Sequence, residues 1–289
     1  MPELPEVEVV KRSLENLIIN LTIKDVEIKE TNLRYKVKKH EIKQIIGLKI
    51  LSIKRKSKYL LFFFNKEIVM LAHLGMTGKF FVMNKQQVKK KTSFYYNIDD
   101  AKDKKHDHII FHFKNGHKLI YNDVRKFGFI KFELITKLKD NLHLKILGPE
   151  PLKNSFSYKY FKNYIKGRNR IIKDLLMDQK FVSGLGNIYV NEILFYSNIK
   201  PTRKINKLKD IEIKKIILNT KEILKLAIKF GGSSIKNFLS SSGESGSFQG
   251  HFSVYGKNGN NCSNTDCNYK IKKIVLSNRA SFFCPKCQK

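Results

Sequence analysis

The chain has 289 residues, enough for two domains that each bury a core. Its 57 Lys and Arg against 25 Asp and Glu leave a net charge of +32, a surplus that repels itself in a compact chain and fits a polyanionic partner, nucleic acid above all. A membrane fits less well: the basic residues are spread along the chain, no basic segment followed by an apolar run opens it, and apolar runs such as Leu60 to Phe64 fall far short of a bilayer span, so a cytoplasmic protein is expected.

Leu4, Val7, Val10, Leu14, Leu17, Ile18 and Leu21 fall on one helical face and predict a helix over 4–21. Glu3, Glu6 and Glu8 lie in or near its first turn, where the helix dipole favours carboxylates. Pro2 suits a helix start, since its missing N–H costs nothing there. It also allows a chemical reading. Once Met1 is removed, Pro2 presents a free secondary amine beside Glu3, able to attack an acetal carbon and form a cationic iminium.

Residues 22 to 135 read as β. Tyr59 to Phe64 is a buried strand, preceded by the charge run Lys54-Arg55-Lys56-Ser57-Lys58, where Lys58 by itself is a solvated cation. Met76 and Phe127 by themselves read as sheet core. Residues 84–105 are polar, Lys-rich and weakly patterned, and predict a long loop. His106 and His108 sit in a His-Asp-His run; no third ligand accompanies them, which favours phosphate contact or a surface role over a metal site. Ile109 to Phe113 and Lys118 to Tyr121 flank Asn115-Gly116, a hairpin signal. Phe127, Phe129 and Ile130 to Leu134 continue the sheet.

Gly148-Pro149-Glu150-Pro151 marks a linker. From 155 to 230 the apolar period turns helical, as in Ile171, Leu175 and Leu176, and in Ile216, Ile217, Ile223, Leu224 and Ile228. Gly184-Leu185-Gly186-Asn187 precedes a helix, which suits either a phosphate on free amides or a plain glycine turn. Residues 233–250 are Ser/Gly-rich and too poor in apolar residues to pack alone. The chain closes with Cys262, Cys267, Cys284 and Cys287. In a cytosolic chain that spacing favours zinc over disulfides, and four thiolates leave no open position, so the metal is structural. Lys272 to Phe283 reads as a hairpin with Arg279 near its tip.

Five blocks together carry a resemblance. They are Pro2-Glu3-Leu4-Pro5-Glu6-Val7-Glu8, Lys58-Tyr59-Leu60-Leu61, His73-Leu74-Gly75-Met76-Thr77-Gly78, Val182-Ser183-Gly184-Leu185-Gly186-Asn187-Ile188-Tyr189, and the four-cysteine module. In this order they resemble the bacterial formamidopyrimidine-DNA glycosylases over essentially the whole chain. The resemblance implies an α+β fold: a helix-flanked β-sandwich over 1–147, a linker over 148–154, a helix–two-turn–helix domain over 155–250 with a lesion loop over 233–250, and a zinc finger over 251–289. It implies excision of oxidised purines from double-stranded DNA, with strand cleavage, by a monomer holding one structural Zn2+.

By the same resemblance Pro2 is the nucleophile and Glu3 the general acid and base, with Glu6 in support. Lys58 donates a proton for the first elimination, and Arg279 grips phosphate for the second. Met76, Arg125 and Phe127 fill the hole left by a flipped base, Arg125 facing an orphaned cytosine. His106, Arg125, Arg168, Lys173 and Asn187 contact the DNA backbone. Two departures stand out: Cys262-x4-Cys267 where the family usually has two intervening residues, and Lys126 where it often has an arginine. The rival readings are an endonuclease VIII-type glycosylase for oxidised pyrimidines, which shares Pro2-Glu3 and the finger, and a non-catalytic zinc-ribbon nucleic-acid binder, which leaves Pro2-Glu3 and Lys58 unexplained.

Overall fold

The computed structural model describes residues 1–86, 89–91, 104–233 and 247–289. The chain divides into two compact units, Met1–Lys145 with Gly231–Ser247, and Ile146–Phe230 with Phe248–Lys289.

The first unit opens with α1 (Leu4–Ile18). Its buried face is Leu4, Val7, Val10, Leu14 and Ile18, as the apolar spacing predicts. The helix stops short of Leu21 because Asn20 turns to φ +64. Two antiparallel sheets follow. One has the order β1 (Ile23–Ile28), β7 (Asp107–Phe113), β8 (Lys118–Asp123), β5 (Gly78–Met83) and β6 (Lys89–Lys91). The other has the order β2 (Ile50–Lys56), β3 (Tyr59–Phe64), β4 (Ile68–His73) and β9 (Phe129–Leu134). One apolar core joins α1 to both sheets, with Phe62, Met70, Phe80, Phe111 and Tyr121 buried in it. A short α2 (Lys39–Lys43) contributes Ile42 to the same core.

Three expectations change here. Phe129–Leu134 does not extend the β7–β8 hairpin; it pairs with β4, so the chain changes sheets between Asp123 and Phe129. Phe127 lies in that crossing, outside any strand and 44% exposed. Within the stretch read as a loop, Lys89–Lys91 forms an edge strand on Phe81–Met83; a lysine run has no apolar alternation to announce a strand. The rest of that stretch falls partly outside the described residues.

Sheet order places two loops side by side. Leu74 to Thr77 carries the chain from β4 to β5, and Val124 to Gly128 carries it from β8 to β9. Because β5 pairs with β8 and β4 with β9, both loops cross between the sheets at the same end.

The second unit contains α3 (Tyr158–Ile165), α4 (Ile172–Met177), α5 (Asn187–Tyr196) and α6 (Asp210–Lys229). Ser157 caps α3 by accepting from the Tyr160 amide at 3.2 Å. Residues 188–195 of α5 are all buried, which is why its sequence lacks a polar face. β10 (Lys272–Leu276) and β11 (Arg279–Phe283) form the expected hairpin. Ser277 and Asn278, at φ +48 and +58, make its two-residue turn. Among the described residues no helix is long and apolar enough to cross a membrane.

Candidate active site

In the first unit an exposed Met1 is followed by buried residues leading into α1. Pro2 is buried and Glu3 is 3% exposed. The α-amine, which Met1 carries, is pushed below its ordinary value, first by burial. Lys58 and Arg125 push the same way, and Glu3 and Glu6 oppose them. Burial and cationic neighbours both favour the neutral, nucleophilic form of an amine. Glu6 is 1% exposed and acts as a clasp. Its Oε2 accepts the Glu3 amide at 2.8 Å, and its Oε1 accepts the amide and hydroxyl of Ser233 at 2.8 and 3.0 Å. Gly232, at φ +80, lies so close that a Cβ there would stand 3.0 Å from Glu6 Oε1.

Lys58 is no solvated cation: it is 5% exposed, the second residue of the β2–β3 turn, where Ser57 adopts φ +55. Arg55 ties this turn to α1, donating to Glu8 Oε2 at 2.8 Å and to the Ser57 carbonyl at 3.0 Å. His73, at the end of β4, is held near pH 4, by burial first and then by Lys58, Arg34 and His143. It is therefore neutral at physiological pH, and its Nδ1 accepts the Gly75 amide at 3.0 Å. Arg55, within a charge run, and His73, which opens the His73–Gly78 block, carry roles that the sequence did not announce.

Met76, Arg125 and Phe127 meet on the two crossing loops. Met76 is 40% exposed, so neither it nor Phe127 is sheet core. Arg125 Nη1 lies 3.3 Å from Met76 Sδ, and its guanidinium lies 4.5 Å from the Phe127 ring centroid. Lys126, at φ +55, pairs with Glu30 and draws that carboxyl down to about 2, chiefly by hydrogen bonding. His106 ends a short turn of helix and lines an open basic cleft of about 630 Å³ with Lys29, Lys104, Lys105 and Lys126. His108 is buried, its Nε2 2.8 Å from the Asp123 carbonyl. Among the described residues the histidines take part in no metal-ligating cluster.

In the second unit Asn187 opens α5, and its Nδ2 donates to the Ala280 carbonyl at 3.0 Å. Gln179 sets the glycine turn before that helix, accepting the Gly184 amide at 2.8 Å and donating to the Leu185 carbonyl at 2.9 Å. Lys173, expected at the DNA backbone, is instead 1% exposed. Its ammonium donates to the Ala280 carbonyl and the Ser281 hydroxyl, and burial brings it down to about 8. Arg279, next to Ala280, is exposed at the first position of β11. Arg168 is exposed, stacked 4.3 Å over the Tyr164 ring centroid. The Sγ atoms of Cys262, Cys267, Cys284 and Cys287 lie within 4.8 Å of one another, none in a disulfide, a cluster that suits a metal. Asn191 and Glu192 tie α5 to this module: Asn191 Oδ1 accepts the Phe282 amide at 2.7 Å, and Glu192 accepts the amides of Ser253, Val254 and Tyr255.

A helix-flanked sandwich with a buried N-terminal Pro2, buried carboxylates and a buried lysine, in one chain with a helical unit ending in a four-thiolate hairpin, describes the class of helix–two-turn–helix DNA glycosylases. Residues 1–130 match the formamidopyrimidine-DNA glycosylase N-terminal domain, and residues 147–239 match the formamidopyrimidine-DNA glycosylase H2TH domain. A formamidopyrimidine-DNA glycosylase of Rickettsia bellii is 39% identical over 290 residues, covering all of both chains. That of Oceanobacillus iheyensis is 39% identical over 292 residues, covering all of this chain and 98% of its own. Among solved structures, a Lactococcus lactis enzyme mutant with DNA containing Fapy-dG superposes with TM-score 0.85 at 36% identity over the whole of both chains. The wild-type Lactococcus enzyme with DNA containing an oxidised pyrimidine superposes with TM-score 0.85 at 35% identity, again over both chains. The chain belongs to the formamidopyrimidine-DNA glycosylase family.

Proposed function

We propose that this protein removes oxidised purines, 8-oxoguanine and formamidopyrimidines, from duplex DNA and then cuts the abasic strand. The observation that carries the reading is a buried Pro2 and Glu3 at an N-terminus where burial and Lys58 push the Met1 amine toward its neutral form. After Met1 is removed, the Pro2 nitrogen attacks C1′ and the damaged base leaves with the C1′–N bond pair. Glu3 protonates the ring oxygen as the sugar opens, giving the iminium, and later shuttles protons. The iminium acidifies C2′; loss of a C2′ proton expels the 3′ phosphate, with Lys58 serving as the acid, and a second elimination expels the 5′ phosphate, which Arg279 grips. Glu6 keeps the amine and Glu3 in register.

A base must leave the stack for this chemistry. Met76 and Phe127 wedge the vacated step, and Arg125 donates to the acceptors of the orphaned cytosine. His106, Arg168 and Asn187 meet backbone phosphates, and Lys173 holds the hairpin that bears Arg279. The partner is thus double-stranded DNA, met by a monomer in the cytoplasm. The working division is 1–147, 148–154, 155–250 and 251–289.

The four thiolates fit one Zn2+. Tetrahedral zinc with bonds of about 2.3 Å sets its sulfurs about 3.8 Å apart; Cys262 and Cys287 are separated by 3.9 Å, and Cys267 and Cys284 by 3.6 Å. Held there, zinc crosslinks the module, and the longer first cysteine loop still closes on it. The Lactococcus complex with an oxidised pyrimidine supports a second reading, in which such pyrimidines are also substrates. Duplexes carrying 8-oxoguanine or an oxidised pyrimidine, each opposite C or its normal partner, test both. Cleavage leaving phosphate on both strand ends is expected, faster for 8-oxoguanine; intact 8-oxoguanine strands contradict the proposal.

A further inference from the structure

Asp123 is fully buried at the end of β8, yet neither the amine chemistry nor the hole-filling set uses it. Its carboxylate joins the two crossing loops. Oδ1 accepts the Thr77 hydroxyl at 2.5 Å; Oδ2 accepts the Gly128 amide at 2.8 Å and the Tyr121 hydroxyl at 3.3 Å. A carboxylate only accepts, so the single Thr77 proton is committed to Asp123. The Thr77 oxygen is thereby left as an acceptor, and it takes the Arg125 amide at 3.0 Å. The chain of bonds runs from one loop to the other with each polarity dictated by the step before it.

The backbones around it have no slack. Gly75, at φ +60, abuts the opposite loop so closely that a Cβ would stand 2.4 Å from the Gly128 nitrogen and the Phe127 carbonyl carbon. Met76 rides on one loop, Arg125 and Phe127 on the other, and the Arg125 side chain spans both. Where Arg125 stands therefore depends on how the loops are locked.

We infer that Thr77, with its hydroxyl polarised by Asp123, is a positioning residue for opposite-base discrimination: it fixes the Arg125 backbone so that the guanidinium meets the orphaned base at one place. This rests on the proposed reading of Arg125. Without the hydroxyl, the Arg125 amide loses its acceptor and Asp123 loses a donor. The cost then falls on the geometry of a two-bond contact, which tolerates little displacement.

The test compares wild type, T77V and T77S. Single-turnover excision of 8-oxoguanine is measured opposite C and opposite A. Cleavage of a single-stranded abasic oligonucleotide, which has no opposite base, is measured alongside. T77V should lose about tenfold in the C-over-A ratio, with single-strand cleavage within about twofold of wild type; T77S, which keeps the hydroxyl, should restore the ratio. T77V with the wild-type ratio overturns the inference, and so does an equal loss of single-strand cleavage, which would mark a general structural defect. A wild type without any C-over-A preference would instead sink the reading of Arg125 itself.

Discussion

At the residue scale the site turns on an amine whose surroundings make it a nucleophile. Burial and the Lys58 charge lower the pKa of the Met1 amine, and the same surroundings would act on the Pro2 amine that removal of Met1 exposes. A lowered pKa keeps the neutral form dominant to lower pH. The fall in the rate of iminium formation should therefore come at lower pH than an exposed proline amine would give; Lys58→Gln should move that fall to higher pH, since a cation that depresses the amine is gone. A pH–rate profile with the same midpoint in both proteins would remove Lys58 from this role. Arg125 makes the second residue-scale claim. Its guanidinium can donate twice to cytosine but meets donors on adenine N6, a difference worth roughly 1–3 kcal/mol. Arg125→Ala should narrow the gap between lesions opposite C and opposite A, and an undiminished gap would assign the orphan base to another residue.

At the element scale the two crossing loops and the terminal hairpin do the positioning. His73 closes β4 and accepts the Gly75 amide as a neutral ring. Its pKa of about 4 lies below the 6.5 of an exposed imidazole, so the unfolded chain takes up this proton first. Its contribution is fully present above pH 6.5 and is lost as pH falls from 6.5 toward 4, on the order of 3 kcal/mol in all. Denaturant unfolding should show that step, and His73→Gln should flatten it; a step unchanged in the variant would place it on another group. The hairpin is held from α4 and α5 by Lys173, Asn187 and Asn191, and at its end by the cysteines. Metal analysis should find about one zinc per chain. Cys284→Ser should release it and weaken lesion-DNA binding while the helical circular dichroism signal persists. Loss of that signal along with the metal would show that the module cannot be separated from the helices.

These elements differ in how plainly the sequence announced them. The buried face of α1, the Tyr59–Phe64 strand, the Asn115-Gly116 hairpin and the cysteine hairpin follow from local periodicity and turn chemistry, and all are present. The pairing of Phe129–Leu134 with β4 was not legible, because a strand's partner is chosen by tertiary packing rather than by its own residues. Lys58 looks like a solvated cation in the sequence and Lys173 like a DNA-backbone contact, and both are buried in the fold. Thr77 lies within one of the five blocks, yet nothing local says that its hydroxyl bonds the Asp123 carboxylate at the end of β8.

At the scale of the whole molecule, a net charge of +32 has its counterpart in nucleic acid. Binding that neutralises phosphates releases counterions, so affinity should fall steeply with salt, roughly a thousandfold or more between about 50 and 200 mM for a site of 6–10 phosphate contacts. Affinity nearly independent of salt would mean that the charge serves something other than the DNA backbone. The two family matches, 1–130 and 147–239, lie in a chain that aligns with its relatives end to end. The central claim is still a single bond, between the N-terminal nitrogen and C1′ of the damaged nucleotide. Borohydride reduction during turnover of an 8-oxoguanine duplex, followed by peptide mapping of the crosslinked protein, reads that bond directly. The adduct should lie on Pro2 of chains lacking Met1, and it should disappear in Pro2→Gly or in protein with an extended N-terminus. An adduct mapping to Lys58 or any other lysine in the wild-type protein would contradict the account.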